Sequence, residues 1–172
     1  ASHLGVDLAV IGSAFFIVRM IDIPIDGLLG WSMDKTRTPL GRYRLWTILG
    51  APILMLGVYF LFMPPEGVGR TYLIFWLLVL YLGNSILALS HAAWAATLAP
   101  HYNDRSRVFG IIAAISVLGA ASVLAIPIVN EARAVSDVGN VAMMGWLIIL
   151  LAPITVALVV WRTPEKIAPE VD

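Results

Sequence analysis

The chain has 172 residues, 60% hydrophobic and only 13% charged, with a mean hydropathy of +0.89. A soluble domain is about 45–50% apolar and about 25% charged, so the composition points to an integral membrane protein. The 11 basic residues are balanced by 11 acidic ones, which argues against a nucleic-acid partner. With zero cysteines, disulfides, cysteine nucleophiles and thiolate metal sites are excluded, and the redox compartment stays open.

Crossing a bilayer takes about 20 apolar residues in a helix. Five stretches meet that length, at about 5–30, 44–63, 71–99, 106–129 and 141–161. The expected fold is all-α and polytopic, one transmembrane domain over residues 1–172. No positively charged segment precedes the first stretch, so a signal peptide is not expected. The start at Ala1, close to an apolar run, suggests a piece of a longer protein.

The first stretch is unlike the others, because its apolar run carries Arg19, Asp22 and Asp26. At 100° per residue these fall within about 60° of one another, and Gly30 continues the stripe. Pro24 lies between the aspartates, where a proline frees a carbonyl four residues back. The second stretch ends at Pro64-Pro65 and the third at Pro100. Asn103 or Asp104 is placed to cap the fourth. In that stretch Gly110, Ala114, Gly119 and Ala120 permit close helix contact. The fifth contains Pro153, and the tail RTPEKIAPEVD is polar and expected to fray.

The loops orient the bundle. Segment 31–44 carries Lys35, Arg37, Arg42 and Arg44 against one Asp. Arg105 and Arg107 follow the third stretch, and Arg162 and Lys166 the fifth. Basic residues stay on the cytoplasmic side. The N-terminus is therefore expected outside and the C-terminus in the cytoplasm. Trp31, Trp46 and Trp161 then form an aromatic belt at the cytoplasmic interface of a plasma (inner) membrane, with lipid as the first partner.

Ionised groups near a bilayer centre cost about 2.5–3.5 kcal/mol each on the insertion scale. Arg19 can pair with Asp22, three residues away, and Asp26 then leaves one negative charge. Two carboxylates a turn apart can share a proton or a small cation. A hard cation such as Na⁺ prefers oxygen ligands, by the logic that governs Ca²⁺ and Mg²⁺. The alternative is an ion pair that only holds helices together. In the basic loop, Asp34, Arg37, Gly41 and Arg42 show a spacing beyond what the charge rule needs. Asp34 can bind Arg37 or a helix end and latch one conformation; the plainer reading is a positive loop.

His91, Asn84, Ser85 and Ser90 make the third stretch polar on one side. His91 is either a hydrogen-bonded neutral residue or part of a solute or proton site. Trp94, one turn on, either packs or stacks on a solute ring. Serine-histidine-aspartate spacing, phosphate-loop motifs and zinc-ligand spacing are absent from the sequence.

Residues 19–46 resemble the second helix and following loop of the glycoside-pentoside-hexuronide:cation symporters, the melibiose-permease-like branch of the major facilitator superfamily. The matching positions are Arg19, Asp22, Asp26, Gly30, Thr36, Arg37, Gly41, Arg42, Tyr43, Arg44 and Trp46. The stretch APHYNDRSRV is similar to a later loop of that family through Pro100, Tyr102, Asp104, Arg105 and Arg107. The resemblance implies helices two to six of a twelve-helix protein. The first helix and the C-terminal half would then be partners. It implies that Asp22 and Asp26 bind the coupling cation and that Arg37, Arg42 and Arg105 serve cytoplasmic gating loops. The family's Asp-Pro is Asp26-Gly27 here, and its proline before Trp46 is Leu45. The positions matching the acidic residue and arginine that hold the sugar in the melibiose-permease branch are apolar here, near Ala88 and Ala113.

These readings converge on a cation-coupled symporter of a sugar or related small solute, driven by Na⁺ or H⁺ and not an enzyme, with no cofactor beyond the coupling cation. The rival readings are a Mg²⁺-dependent intramembrane prenyltransferase and a non-catalytic membrane scaffold. The first needs a second aspartate-rich motif, which the later stretches lack.

Overall fold

The computed structural model describes residues 8–65, 67–131 and 136–165, with the side chains of the first helix from Gly12 onward. Its elements are α1 (Leu8–Lys35), α2 (Arg42–Phe62), α3 (Arg70–Leu98), α4 (Tyr102–Glu131) and α5 (Asp137–Arg162). All regular structure among the described residues is helical. By length and composition, four helices (α2 to α5) can cross a membrane. The first expected span also folds as a helix. At 28 residues and 1.5 Å per residue, α1 is about 42 Å long. Arg19, Asp22 and Asp26 set it apart from the other four.

Several boundaries differ from the sequence expectation. The basic loop is not 31–44 but residues 36–41, because α1 runs on to Lys35 and α2 starts at Arg42. No glycine or proline interrupts residues 31–38, so nothing stops the helix at the end of the apolar run. Trp31, Asp34 and Lys35 are therefore helical. The chain reverses at Gly41, whose φ of +104° is open to glycine but strained for other residues. Asn103 and Asp104 do not cap α4 from outside; both lie in its first turn. Asp104 there faces the positive end of the helix dipole. The expectation of a fraying tail fails for Thr163–Glu165, which dock on other helices, as the hydrogen bond from Trp94 Nε1 to the Pro164 carbonyl at 3.3 Å shows. The rest of the tail, 166–172, lies outside the described residues.

α2 and α3 make the closest pair, and glycines set their separation. A Cβ on Gly57 would lie 2.6 Å from Leu80 Cα. On Gly83 it would lie 2.6 Å from Leu54 Cα. Each glycine thus faces backbone of the opposite helix, which is how small residues bring helices together in a bilayer. α1 packs on α3 and α5 on α2. Gly145 of α5 admits Phe62, whose Cβ is 2.7 Å from the position a Cβ would take. Met33, Tyr43, Ile86 and Trp94 form the buried cluster at the basic-loop end. α4 stands apart, with Asn130 its one buried residue among those described. Asn130 Nδ2 donates to Asn140 Oδ1 at 3.0 Å and ties α4 to α5.

Because backbone cannot swing aside as a side chain can, Gly57→Val or Gly83→Val should destabilise the bundle by about 3 kcal/mol, the upper end of the overpacking range. Nothing lies within 4 Å of a Cβ on Gly110, so Gly110→Ala, inside a helix, should not destabilise and should stabilise by up to about 1 kcal/mol. Thermal midpoints of the three variants in detergent check this contrast.

Candidate functional site

The apolar register of α1 puts Val18 and Asp22 on its buried side, at 0% and 2% exposure. A buried aspartate needs partners for both oxygens. Arg19 Nη1 donates to Asp22 Oδ2 at 2.8 Å, three residues back on the same helix. Ser85 Oγ of α3 donates to Asp22 Oδ1 at 3.1 Å. Asp22 is thus held from two helices. Arg19 keeps 64% of its side chain exposed while Asp22 keeps 3%. The Arg19 guanidinium also lies 6.0 Å from the centre of the Tyr81 ring of α3.

Asp26 comes one turn later on α1. Its Oδ1 is buried and has no hydrogen-bond donor among the described residues. Since Arg19 is paired with Asp22, the cluster carries one carboxylate more than it has guanidinium. The arrangement offers an unmet carboxylate oxygen one turn from an Asp22 held by serine and arginine. That donor chemistry is all oxygen, suited to a proton or a hard cation. No group of three His, Asp or Glu side chains among the described residues converges on a metal position.

A cavity of about 680 Å³ lies between α1, α2, α3 and α5. Tyr81 and Asn84 bring polar groups to its otherwise apolar wall. The Tyr81 ring that faces Arg19 therefore joins the charged stripe to this cavity. A second cavity of about 300 Å³ is lined by Thr47, Asn84, Ala88, His91 and Thr155, among others. Asn84 borders both spaces. Asn84, Ala88 and His91 recur at steps of four and three, one stripe of α3, and all are exposed to the opening.

Trp94 does not join them. It is 1% exposed and packs in the buried cluster, with its indole N–H on the Pro164 carbonyl at 3.3 Å. The stacking role gives way to the packing one. Asp34 pairs not with Arg37 but with Arg42, at 3.7 Å from Oδ1 to Nη1, across the loop. Arg37 is exposed at the loop surface. Arg105 is exposed, and its Nη2 donates to the Ala96 carbonyl at 3.4 Å. Gly41 closes the loop, with its N–H on the Thr38 carbonyl at 3.0 Å.

Tyr81 and Thr155 are site residues that the sequence reading did not single out, and Ser85 was named there only as part of the polar side of the third stretch. Ser85 carried a usable signal, as a hydroxyl beside Asn84 in an apolar span. Thr155 carried none, because its role depends on where α5 packs.

No solved structure matches the chain at a significant level. A family model described as MFS/sugar transport protein matches residues 1–171. Five packed helices, four of them long and apolar enough to span a bilayer, are what a partial bundle of that fold requires. The chain accordingly belongs to the MFS/sugar transport protein family, as a membrane-embedded transporter and not an enzyme.

Proposed function

We propose that this transporter chain carries the cation site of a symporter, with Asp22 and Asp26 as ligands, Arg19 as the ion-pair partner and Ser85 as a supporting hydroxyl. The observation that carries the reading is the buried Asp26 oxygen without a donor among the described residues. An unmet buried polar atom costs about 1–3 kcal/mol, and a bound Na⁺ or proton removes that penalty. The solute, a sugar or related small molecule, would lie along Asn84 and His91 of α3 in the adjoining space. Substrate and cation sites between transporter halves are exposed alternately as the halves rock. Coupling between the two sites is reciprocal: cation raises solute affinity by the factor by which solute raises cation affinity.

The basic loop supports a cytoplasmic position for residues 36–41 and for the end of α5. On that orientation the start of α1 faces outside, and the plasma or inner membrane is the compartment this reading takes. Asp34, Arg37, Gly41, Arg42 and Arg105 would act at that face in the conformational step. A scaffold reading draws on the Arg19–Asp22 pair alone and leaves Asp26 without a purpose. The prenyltransferase reading does not survive membership of a transporter family.

In the full-length protein, Asp22→Asn or Asp26→Asn should abolish the stimulation of solute binding by cation, measured across Na⁺, Li⁺ and pH. Binding without cation should persist. If the pair is only structural, Asp22→Asn lowers stability by leaving Arg19 unpaired, and Arg19→Gln/Asp22→Asn restores both stability and coupling. Normal stimulation in both single variants would remove the site assignment.

The orientation has its own check. Reporter fusions at Thr38 and Asn103 should read cytoplasmic, and fusions at Gly67 and Val138 external. The opposite pattern would invert the topology and the side to which Asp26 lies nearer.

A further inference from the structure

A hydroxyl has one proton to give and two lone pairs with which to receive. Where its proton already goes decides what it can offer a ligand. Two threonines line the smaller cavity, Thr47 from α2 and Thr155 from α5. Thr47 Oγ1 has two acceptors within reach, the Tyr43 carbonyl at 2.9 Å and Ser90 Oγ at 3.1 Å. The Ser90 hydroxyl in turn donates to the Leu87 carbonyl at 3.2 Å. Thr47 and Ser90 are both buried, where a hydroxyl proton without an acceptor is costly. Both protons therefore stay on protein oxygens. Thr155 Oγ1 donates back into its own helix, to the Leu151 and Ala152 carbonyls, each at 3.0 Å. Each threonine thus shows the cavity a lone pair and no proton.

The rest of the wall does not reverse that sign. The Asn84 side chain has both an accepting oxygen and a donating nitrogen. A neutral imidazole has one donor and one acceptor nitrogen, so His91 likewise serves either role. Leu87, Ala88, Val156 and Val159 complete the wall with apolar surface, and among the described residues neither lysine nor arginine lines it. The volume of about 300 Å³ is at the lower end of small-molecule sites, about 300–1,000 Å³, which suits one ring-sized solute.

We propose that Thr47 and Thr155 set the specificity of the solute site, their lone pairs selecting a solute with hydroxyl or amino donors over one that brings a carboxylate or phosphate to the same positions. This narrows the solute reading above and rests on it. A sugar hydroxyl or amine N–H turned to either oxygen replaces a bond it made to water. A carboxylate oxygen there meets lone pair with lone pair, having left its water without gaining a donor. Because the two threonines stand on different helices, they also fix which donors of the solute must be present.

The test uses the full-length protein in detergent. The probes are glucose, galactose and mannose, with their amino, deoxyfluoro and uronate analogues, and binding is read by isothermal titration. Fluorine takes the place of a hydroxyl but cannot donate. For the tightest neutral hexose, one deoxyfluoro analogue should bind about tenfold more weakly, the loss expected for one unmet hydrogen bond in a buried site. The uronate should bind at least as weakly. Thr47→Val keeps the shape and removes the oxygen, so it should impose the same loss on the hexose and no further loss on that analogue. Thr155→Val should do the same for a different hydroxyl, and Thr47→Ser should restore binding. Ser90→Ala cuts the same contact between α2 and α3 without reaching the cavity wall, so it should leave hexose affinity unchanged. Parent-like hexose affinity in folded Thr47→Val and Thr155→Val overturns the assignment, as does a uronate that binds more tightly than its hexose. Equal losses in Thr47→Val and Ser90→Ala also overturn it, by assigning Thr47 to helix packing alone. Silence from every probe in the parent as well as the variants removes the solute reading and the threonine assignment with it. That outcome is told apart from failure of the assignment alone by the silent parent.

Discussion

A carboxylate oxygen removed from water without a donor is the constraint on which the charged end of this bundle turns. Asp22 escapes it through Arg19 and Ser85. Asp26 does not, since its Oδ1 stays buried and has no partner among the described residues. Pairing Asp22 from two helices fixes α1 against α3, which in turn holds Asp26 at a set depth and facing. The cluster is rigid where it is neutral and incomplete where it is charged. That division suits a site that must recognise one small cation and release it.

Glycine contacts between α2 and α3 set the spacing of the frame around this cluster. Gly57 and Gly83 let each helix press on the other's backbone. α3 can then present Ser85 toward α1 while Asn84, Ala88 and His91 face open space. Residue 85 and residue 84 are neighbours 100° apart on a helix, so one element borders the charged cluster and the adjoining cavities together. The link between the proposed cation and solute sites is therefore short, running through α3 rather than through a chain of loops.

Much of this was legible in the sequence because its signals are local. Arg19, Asp22 and Asp26 share a face by helical period alone, and the Arg19–Asp22 pair follows from a three-residue spacing. The helical class followed from apolar length. What was not legible depends on contacts distant in sequence. Ser85 lies 63 residues from Asp22, and Glu165 lies 122 residues from Tyr43, so neither pairing has a periodic signature. Trp94 read as a packing residue or, less commonly, a stacking one, and the approach of Pro164 decided it. The helix ends moved for a related reason. Polar residues such as Asp34 and Lys35 leave the bilayer without leaving the helix, so apolar length fixes the span better than the element.

The central claim is that Asp26 is incomplete without a cation, and thermal stability reads this most directly. A ligand that binds only the folded state stabilises it by RT ln(1 + [L]/Kd). The thermal midpoint of the parent protein should rise with Na⁺ or Li⁺ over a choline control, or with falling pH if the ligand is a proton. In Asp26→Asn that rise should vanish, and the choline midpoint should equal or exceed the parent's, because the unmet charge is gone. An equal cation response in the parent and Asp26→Asn would contradict the account.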